Sequence, residues 1–262
     1  MDLEGVVRTV RALPYLPGGF EVLGSGKLIV GDAQRRKIYL LEAGGEEQVV
    51  DMSNVAGFFL CDSAIDSHGG LYVADVGFDF LNPLVDPAPK GMIAYIREDG
   101  ALSVVATELF IPSGMIVTAD NKTLVVAETL GHRLTAFDIE DDGSLKNRRI
   151  WAQFQDDIKP DGICLDSDSA IWMAGSGPAA FHVREGGEVD QQITTERPVF
   201  ATMLGGPQLR HLFLFTADSN DPVITRRASS ATIDIVEVDT PSVNSTSEHD
   251  FGQVETNISK IR

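Results

Sequence analysis

Pro112-Ser113-Gly114-Met115-Ile116-Val117, a polar turn at Asp120-Asn121-Lys122, and Leu124-Val125-Val126-Ala127-Glu128 form the stretch that decides the fold, because the chain repeats it. A second copy runs Pro160-Asp161-Gly162-Ile163-Cys164-Leu165, turns at 166–169 and continues as Ile171-Trp172-Met173-Ala174. A third opens on Pro17-Gly18-Gly19 and closes on Leu28-Ile29-Val30-Gly31-Asp32. A fourth keeps Ala64-Ile65, a turn from Asp66 to Gly70, and Leu71-Tyr72-Val73-Ala74-Asp75. The fifth and weakest runs from Pro198 through Leu212-Phe213-Leu214-Phe215. Each copy is a pair of apolar strands across a tight polar turn, and the copies are spaced roughly 40 to 55 residues apart, the period of a propeller blade.

The expectation is therefore an all-β chain, a β-propeller of four-stranded antiparallel blades with five repeats visible. Outer strands follow each pair: Lys37 to Leu41 turns at Ala43-Gly44-Gly45 into Gln48 to Val50, and Arg133 to Ile139 turns at Asp141-Asp142-Gly143. Gly, Asn and Asp at these points supply the reversals that hairpins need. A strand from Val6 to Val10 precedes the first blade and is expected to pair with the last, Ala231 to Val238, which would remove the open edges of the ring. Residues 1–240 read as a single propeller domain and 241–262 as a polar, flexible tail.

Composition narrows the partners. The 262 residues carry 21 Lys and Arg against 39 Asp and Glu, a net charge of −18. Phosphate binding needs a basic surface, so nucleic acid is excluded as a partner and an anionic membrane is disfavoured. Two cysteines, Cys61 and Cys164, make no disulfide framework. No stretch reaches the length of a membrane span, and the first residues lack the charged and apolar regions of a signal peptide. The expected location is the cytoplasm, with reduced thiols.

Four segments resemble one family: Val73-Ala74-Asp75-Val76-Gly77-Phe78-Asp79, the run Ala127 to Asp138, Gly143 to Arg149, and Pro160-Asp161-Gly162-Ile163-Cys164-Leu165-Asp166. They are similar to the senescence-marker-protein/gluconolactonase group, six-bladed propellers that include lactonases and related hydrolases. The resemblance implies a divalent cation in the central channel, typically calcium, held by a Glu in a Glu-Gly-Pro phrase, an Asn in Pro-Asn-Gly and the Asp of Pro-Asp-Gly, with a further Asn on the substrate. This chain departs from that pattern. The Glu-Gly-Pro blade is absent, Ser113 replaces the Asn of Pro-Asn-Gly, Cys61 stands at the substrate-side Asn, and only Asp161 is kept. One carboxylate beside a hydroxyl and a thiol is a poor cage for a hard cation.

The candidate site follows from repeat position. Equivalent points of the blades are carried round one ring, so Gly18, Cys61, Ser113, Asp161 and a residue near Ala201 should meet at the channel. Asp161 and Asp62 are the catalytic candidates, as acid and base. Ser113, Cys61, Glu128, Asp75, Phe78 and Phe80 are the substrate-binding candidates. The Pro-rich insertion from Phe78 to Pro89 is expected to cover the channel mouth.

Three readings follow. The first is a small-molecule enzyme that lost its metal and performs acid–base chemistry of a dehydration, isomerisation or cyclisation type on an apolar substrate, without a cofactor. The second is a metal-dependent lactonase or ester hydrolase whose calcium or other divalent cation is held by Asp161, Asp62 and Glu128 or Asp75. The third is a non-catalytic small-molecule binding propeller.

Overall fold

A computed structural model describes residues 9, 11–23, 25–42, 45–82, 84–85, 87–225 and 230–243. Five antiparallel sheets follow one another along the chain. The first joins β1 (Pro17–Val22), β2 (Leu28–Asp32), β3 (Lys37–Glu42) and β4 (Gly45–Asp51). The second joins β5 (Leu60–Ile65), β6 (Leu71–Asp75), β7 (Gly91–Ile96) and β8 (Leu102–Leu109). The third joins β9 (Pro112–Val117), β10 (Thr123–Glu128), β11 (Arg133–Ile139) and β12 (Leu145–Gln153). The fourth joins β13 (Ile163–Leu165), β14 (Ile171–Ala174), β15 (Ala179–Val183) and β16 (Val189–Thr194). The fifth holds β17 (Val199–Gly205), β18 (His211–Thr216) and β19 (Thr232–Glu237). The five repeats are thus five blades of a β-propeller, strands in sequence order within each.

The last blade differs from the expectation, with three described strands in place of four. Its proposed partner, Val6 to Val10, lies outside the described residues. The segment from 241, read as free tail, is docked over its described part. Ser167 donates its amide to the Pro241 carbonyl and Ser242 to that of Leu209, both at 2.8 Å. Val243 packs on the core between the third and fourth blades.

The first strands β1, β5, β9, β13 and β17 line up side by side, and glycines in the first, third and fourth blades let the neighbouring blade press in. A Cβ on Gly114 would lie 2.5 Å from the Asp161 carbonyl oxygen, and one on Gly162 would lie 2.7 Å from the Ala201 Cα. Both glycines are therefore fixed by close approach of the next blade. Between blades the core is continuous. Leu71, Val73, Met92, Ala94 and Ile96 pack with Ile38 and Met52 on one side, while Tyr72, Ala74, Ile93 and Tyr95 pack with Met115, Leu124 and Val126 on the other.

Buried carboxylates hold the inner turns. Asp66 accepts the amides of His68 and Gly70 at 2.8 Å and the Tyr95 hydroxyl at 2.7 Å. Asp166 does the same two blades on, taking the Asp168 and Ala170 amides at 2.9 Å, with His182 Nε2 at 2.7 Å replacing the tyrosine. These aspartates satisfy the exposed N–H groups of the turns and join each turn to its third strand. Among the described residues no helix is long and apolar enough to cross a membrane.

Candidate active site in the channel

The inner edges of β5, β9 and β13 bring the predicted polar residues to one end of the channel. The Asp62 carboxylate reaches across from β5 and accepts the Met115 amide of β9 at 2.8 Å. From the other side, the Asp161 main chain presses on Gly114, the residue before Met115. Asp161 accepts the Ser176 hydroxyl at 3.1 Å. The Cys61 thiol points at the Ser113 carbonyl, 3.7 Å away. Ser113 Oγ lies 2.5 Å from Thr129 Oγ1, and Thr129 donates to the Pro160 carbonyl at 2.7 Å. A chain of contacts thus runs from Cys61 through Ser113 and Thr129 to Pro160 and Asp161, spanning three blades.

Cys61, Asp62, Ser113 and Asp161 are all half-buried. Walls on most sides strip water from their carboxyls, and this burial raises Asp161 to about 7, with the nearby Asp62 adding to it. Burial also raises Asp62 to about 6, against the opposing pull of the Met115 amide. Desolvation pushes the Cys61 thiol up, and Asp161 and Asp62 add to the push. A thiol held protonated in this way is no nucleophile. Glu21, on β1 beside Ser63, joins the group: burial and then the Asp62 charge raise it to about 8. Burial thus lifts all three carboxyls above their ordinary range, and the Asp62 charge adds to the rise of Glu21 and of Asp161.

Two of the remaining candidates, Asp75 and Glu128, are spent on bonds within the blades. Asp75 is fully buried and accepts the Gly57 and Phe58 amides at 2.7 and 3.0 Å, fastening the segment that enters its own blade. Glu128 has the same place in the third blade and takes the Phe110 amide at 2.8 Å. It also accepts Arg133 at 2.9 and 3.0 Å, Thr135 at 2.5 Å and Arg148 at 3.2 Å. Burial pushes Glu128 up, but these bonds outweigh it and hold the carboxyl below its usual range. The insertion after β6 leaves the blade at Asp75, which pairs with Leu60, so it stands at the same end as Cys61. Phe78 is buried at its base, while Phe80 is exposed and packs edge-on against the stacked Phe58 and Phe59.

Glu21, Thr129 and Ser176 were not legible as site residues. Gly175, one residue before Ser176, stands where the second and third blades end their strand on Asp75 and Glu128; that broken pattern was the available signal. Two grooves on the outer surface touch none of these residues.

The cation implied by the resemblance finds no donor set. Among the described residues no three His, Cys, Asp or Glu side chains gather to hold an ion. Asp62 already spends an oxygen on an amide, and Glu128 and Asp75, the proposed substitutes, are consumed by the wall. A hard cation needs six or more oxygens, and these residues do not fit one.

The profile of the SMP-30/gluconolactonase/LRE-like region matches residues 4–218. The chain belongs to that family. It is 26% identical over 187 residues to the lactonase drp35 of Staphylococcus haemolyticus, covering 68% of this chain and 55% of that protein. The chain thus spans about half the length of the curated relatives it matches. Among solved structures, a luciferin-regenerating enzyme superposes with a TM-score of 0.74 at 18% identity, covering 88% of this chain and 80% of the other. The calcium-binding protein regucalcin from Agrobacterium tumefaciens superposes with a TM-score of 0.72 at 16% identity, covering 89% and 80%. At these identities the two structures speak for the fold alone. The staphylococcal relative is named a lactonase.

Proposed function

We propose that this propeller hydrolyses a small cyclic ester in its channel by acid–base catalysis between Asp62 and Asp161. The observation that carries the reading is the approach of the two residues: the Asp62 carboxylate accepts the Met115 amide, the Asp161 main chain packs on the adjacent Gly114, and the Asp62 charge is felt at the Asp161 carboxyl. Kinship with lactonases supplies the reaction class.

Asp62, whose ionised form the Met115 amide stabilises by donating to it, is the base. Its ionised carboxylate takes a proton from a water whose oxygen attacks the lactone carbonyl carbon. Asp161 is protonated in part at neutral pH and gives its proton to the ring oxygen as the acyl C–O bond breaks. Water and lactone become a hydroxy acid; the proton taken by Asp62 and the proton given by Asp161 balance. Ser176 orients the Asp161 carboxyl, and the Met115 amide orients that of Asp62. Two neighbouring carboxyls in different hydrogen-bonded settings, one held by a backbone amide and one by a hydroxyl, suit such a division of labour. The loop from Phe78, rising at the same end, excludes bulk water.

The test is direct. Purified protein is offered a panel of γ- and δ-lactones, and acid release is followed with a pH indicator. Turnover that collapses in Asp161→Asn supports the reading. A folded protein that turns over no lactone, or an unaffected Asp161→Asn variant, overturns it.

A further inference from the structure

We infer that Thr129 is a positioning residue that makes Ser113 an acceptor-only contact in the channel, so that the site selects ligands bearing a hydrogen-bond donor. The argument is a count of protons. A hydroxyl has one proton and two lone pairs. The Thr129 proton goes to the Pro160 carbonyl, which cannot donate in return. In the 2.5 Å contact between the two hydroxyls, Ser113 is therefore the donor. Its other acceptor within reach is the Ile111 carbonyl at 3.2 Å. That contact is the longer one, so it is Thr129 that keeps the Ser113 proton in the wall.

The same holds around the ring. Cys61 turns its thiol proton to the Ser113 carbonyl. Ser176 gives its proton to Asp161. None of the four neutral hydroxyl and thiol groups at this end of the channel keeps a proton for a ligand. What Ser113 and its neighbours offer is lone pairs. A ligand hydroxyl or amide N–H satisfies them, and a ligand that lacks one leaves a half-buried oxygen without a partner. Thr129 sets this polarity because it receives the Ser113 proton while its own is committed across to the fourth blade.

The inference rests on the lactone reading for its choice of probe. The experiment compares a hydroxyl-bearing lactone with its deoxy counterpart of the same ring size, on wild type, Ser113→Ala, Thr129→Val and Thr129→Ser. Wild type is expected to favour the hydroxylated lactone by about five- to tenfold in kcat/KM, the worth of one neutral hydrogen bond. Ser113→Ala should bring that ratio to about one. Thr129→Val should shrink it by raising KM for the hydroxylated lactone alone, and Thr129→Ser should restore it. A merely structural Thr129 would depress both lactones alike. A ratio that survives in Ser113→Ala, or is absent in wild type, overturns the inference while leaving lactone hydrolysis standing. If wild type hydrolyses neither lactone, the hydrolase reading falls, and calorimetric binding of the same pair decides this one: a preference lost in Ser113→Ala supports it, and equal or no binding overturns it.

Discussion

The second blade and the fifth grow from the same repeat and bury their residues differently. In β6 and β7 every side chain is buried, on both faces of the sheet. In β18 burial alternates: Leu212, Leu214 and Thr216 are buried, while His211 and Phe213 are half-buried and Phe215 is 40% exposed. Register puts Phe215 beside Ala201 and Ile233, and Phe213 beside Met203 and Ile235, all on one face. The second blade has a neighbour on each side, whereas the fifth has its described neighbour on one side. The channel reflects this division. Blades two to four supply Cys61, Asp62, Ser113 and Asp161, while the end blades present Gly18 and Ala201 at the equivalent points. The candidate residues Cys61, Asp62, Ser113 and Asp161 lie on blades packed from both sides, with Glu21 of the first blade beside them, where a side chain can be held to a tight tolerance.

The largest effect expected from this division concerns the site itself. Asp161→Asn keeps size and hydrogen bonding but removes the proton, and should lower kcat by about 100- to 1,000-fold with little change in KM. Ala201→Ser, at the matching point of the fifth blade, should leave kcat within about twofold. Steady-state kinetics on both variants settles it. Comparable losses in the two would dissolve the distinction between middle and end blades.

Stability offers a second way to break the comparison. Ile93 is fully buried between the second and third blades. Ile93→Ala should cost about 3 kcal/mol through lost transfer energy and a cavity. Phe215→Ala, though it deletes a larger side chain, should cost less than about 1.5 kcal/mol, because much of the ring already faces water. Urea denaturation measures both. Equal costs would mean that the outer face of the fifth blade is covered in solution.

Asp62, Asp161 and Glu128 test the difference between lumen and wall through pH. A carboxyl raised by folding binds its proton more tightly in the folded chain. It adds stability below its unfolded pKa and loses that contribution as pH climbs through the folded value. For Asp62 and Asp161 the loss falls between about pH 4 and 7, from the ordinary 3.8 to about 6 and 7. Glu128 has the opposite sign. Its lowered pKa stabilises the fold above the ordinary 4.5 and loses that on acidification. Asp62→Asn should therefore gain stability relative to wild type on going from pH 5 to 8, by on the order of 1–2 kcal/mol. Glu128→Gln should be destabilised most at the higher pH. Parallel stability profiles for wild type and Asp62→Asn would sink the buried-carboxyl account.

The ring, its five repeats and the place of Asp161, Asp62, Ser113 and Cys61 were legible because repeat position is a local property: each follows a proline or an apolar start at the same point of its copy. Glu21 was hidden, since its place depends on an irregularity between Pro17 and Phe20 in the pairing of β1 with β2. Thr129 and Ser176 were hidden because their partners, Ser113 and Asp161, lie 16 and 15 residues away and meet them only in the folded blade. The open face of the fifth blade was also invisible. Leu212-Phe213-Leu214-Phe215 is apolar throughout, and no pattern in it tells a buried face from an exposed one.

The smallest effect expected is none. If Asp62 and Asp161 perform the hydrolysis, a chelator should leave kcat and the melting temperature unchanged, and added calcium, manganese or zinc should not raise either. The reason is the donor set. Ser113 and Cys61 stand where the resemblance expects amide oxygens, the Asp62 and Asp161 carboxyls share their field near neutrality, and Glu128 and Asp75 are committed to arginines and backbone amides in the wall. Removing Glu128 or Asp75 from those bonds would break the segment that enters each blade, so neither can be recruited without unpicking the structure that carries the site. Activity that falls in EDTA and returns stoichiometrically with one cation would show that a ligand set assembles from outside the described residues. It would also transfer the work assigned here to the Asp161 proton to a metal ion.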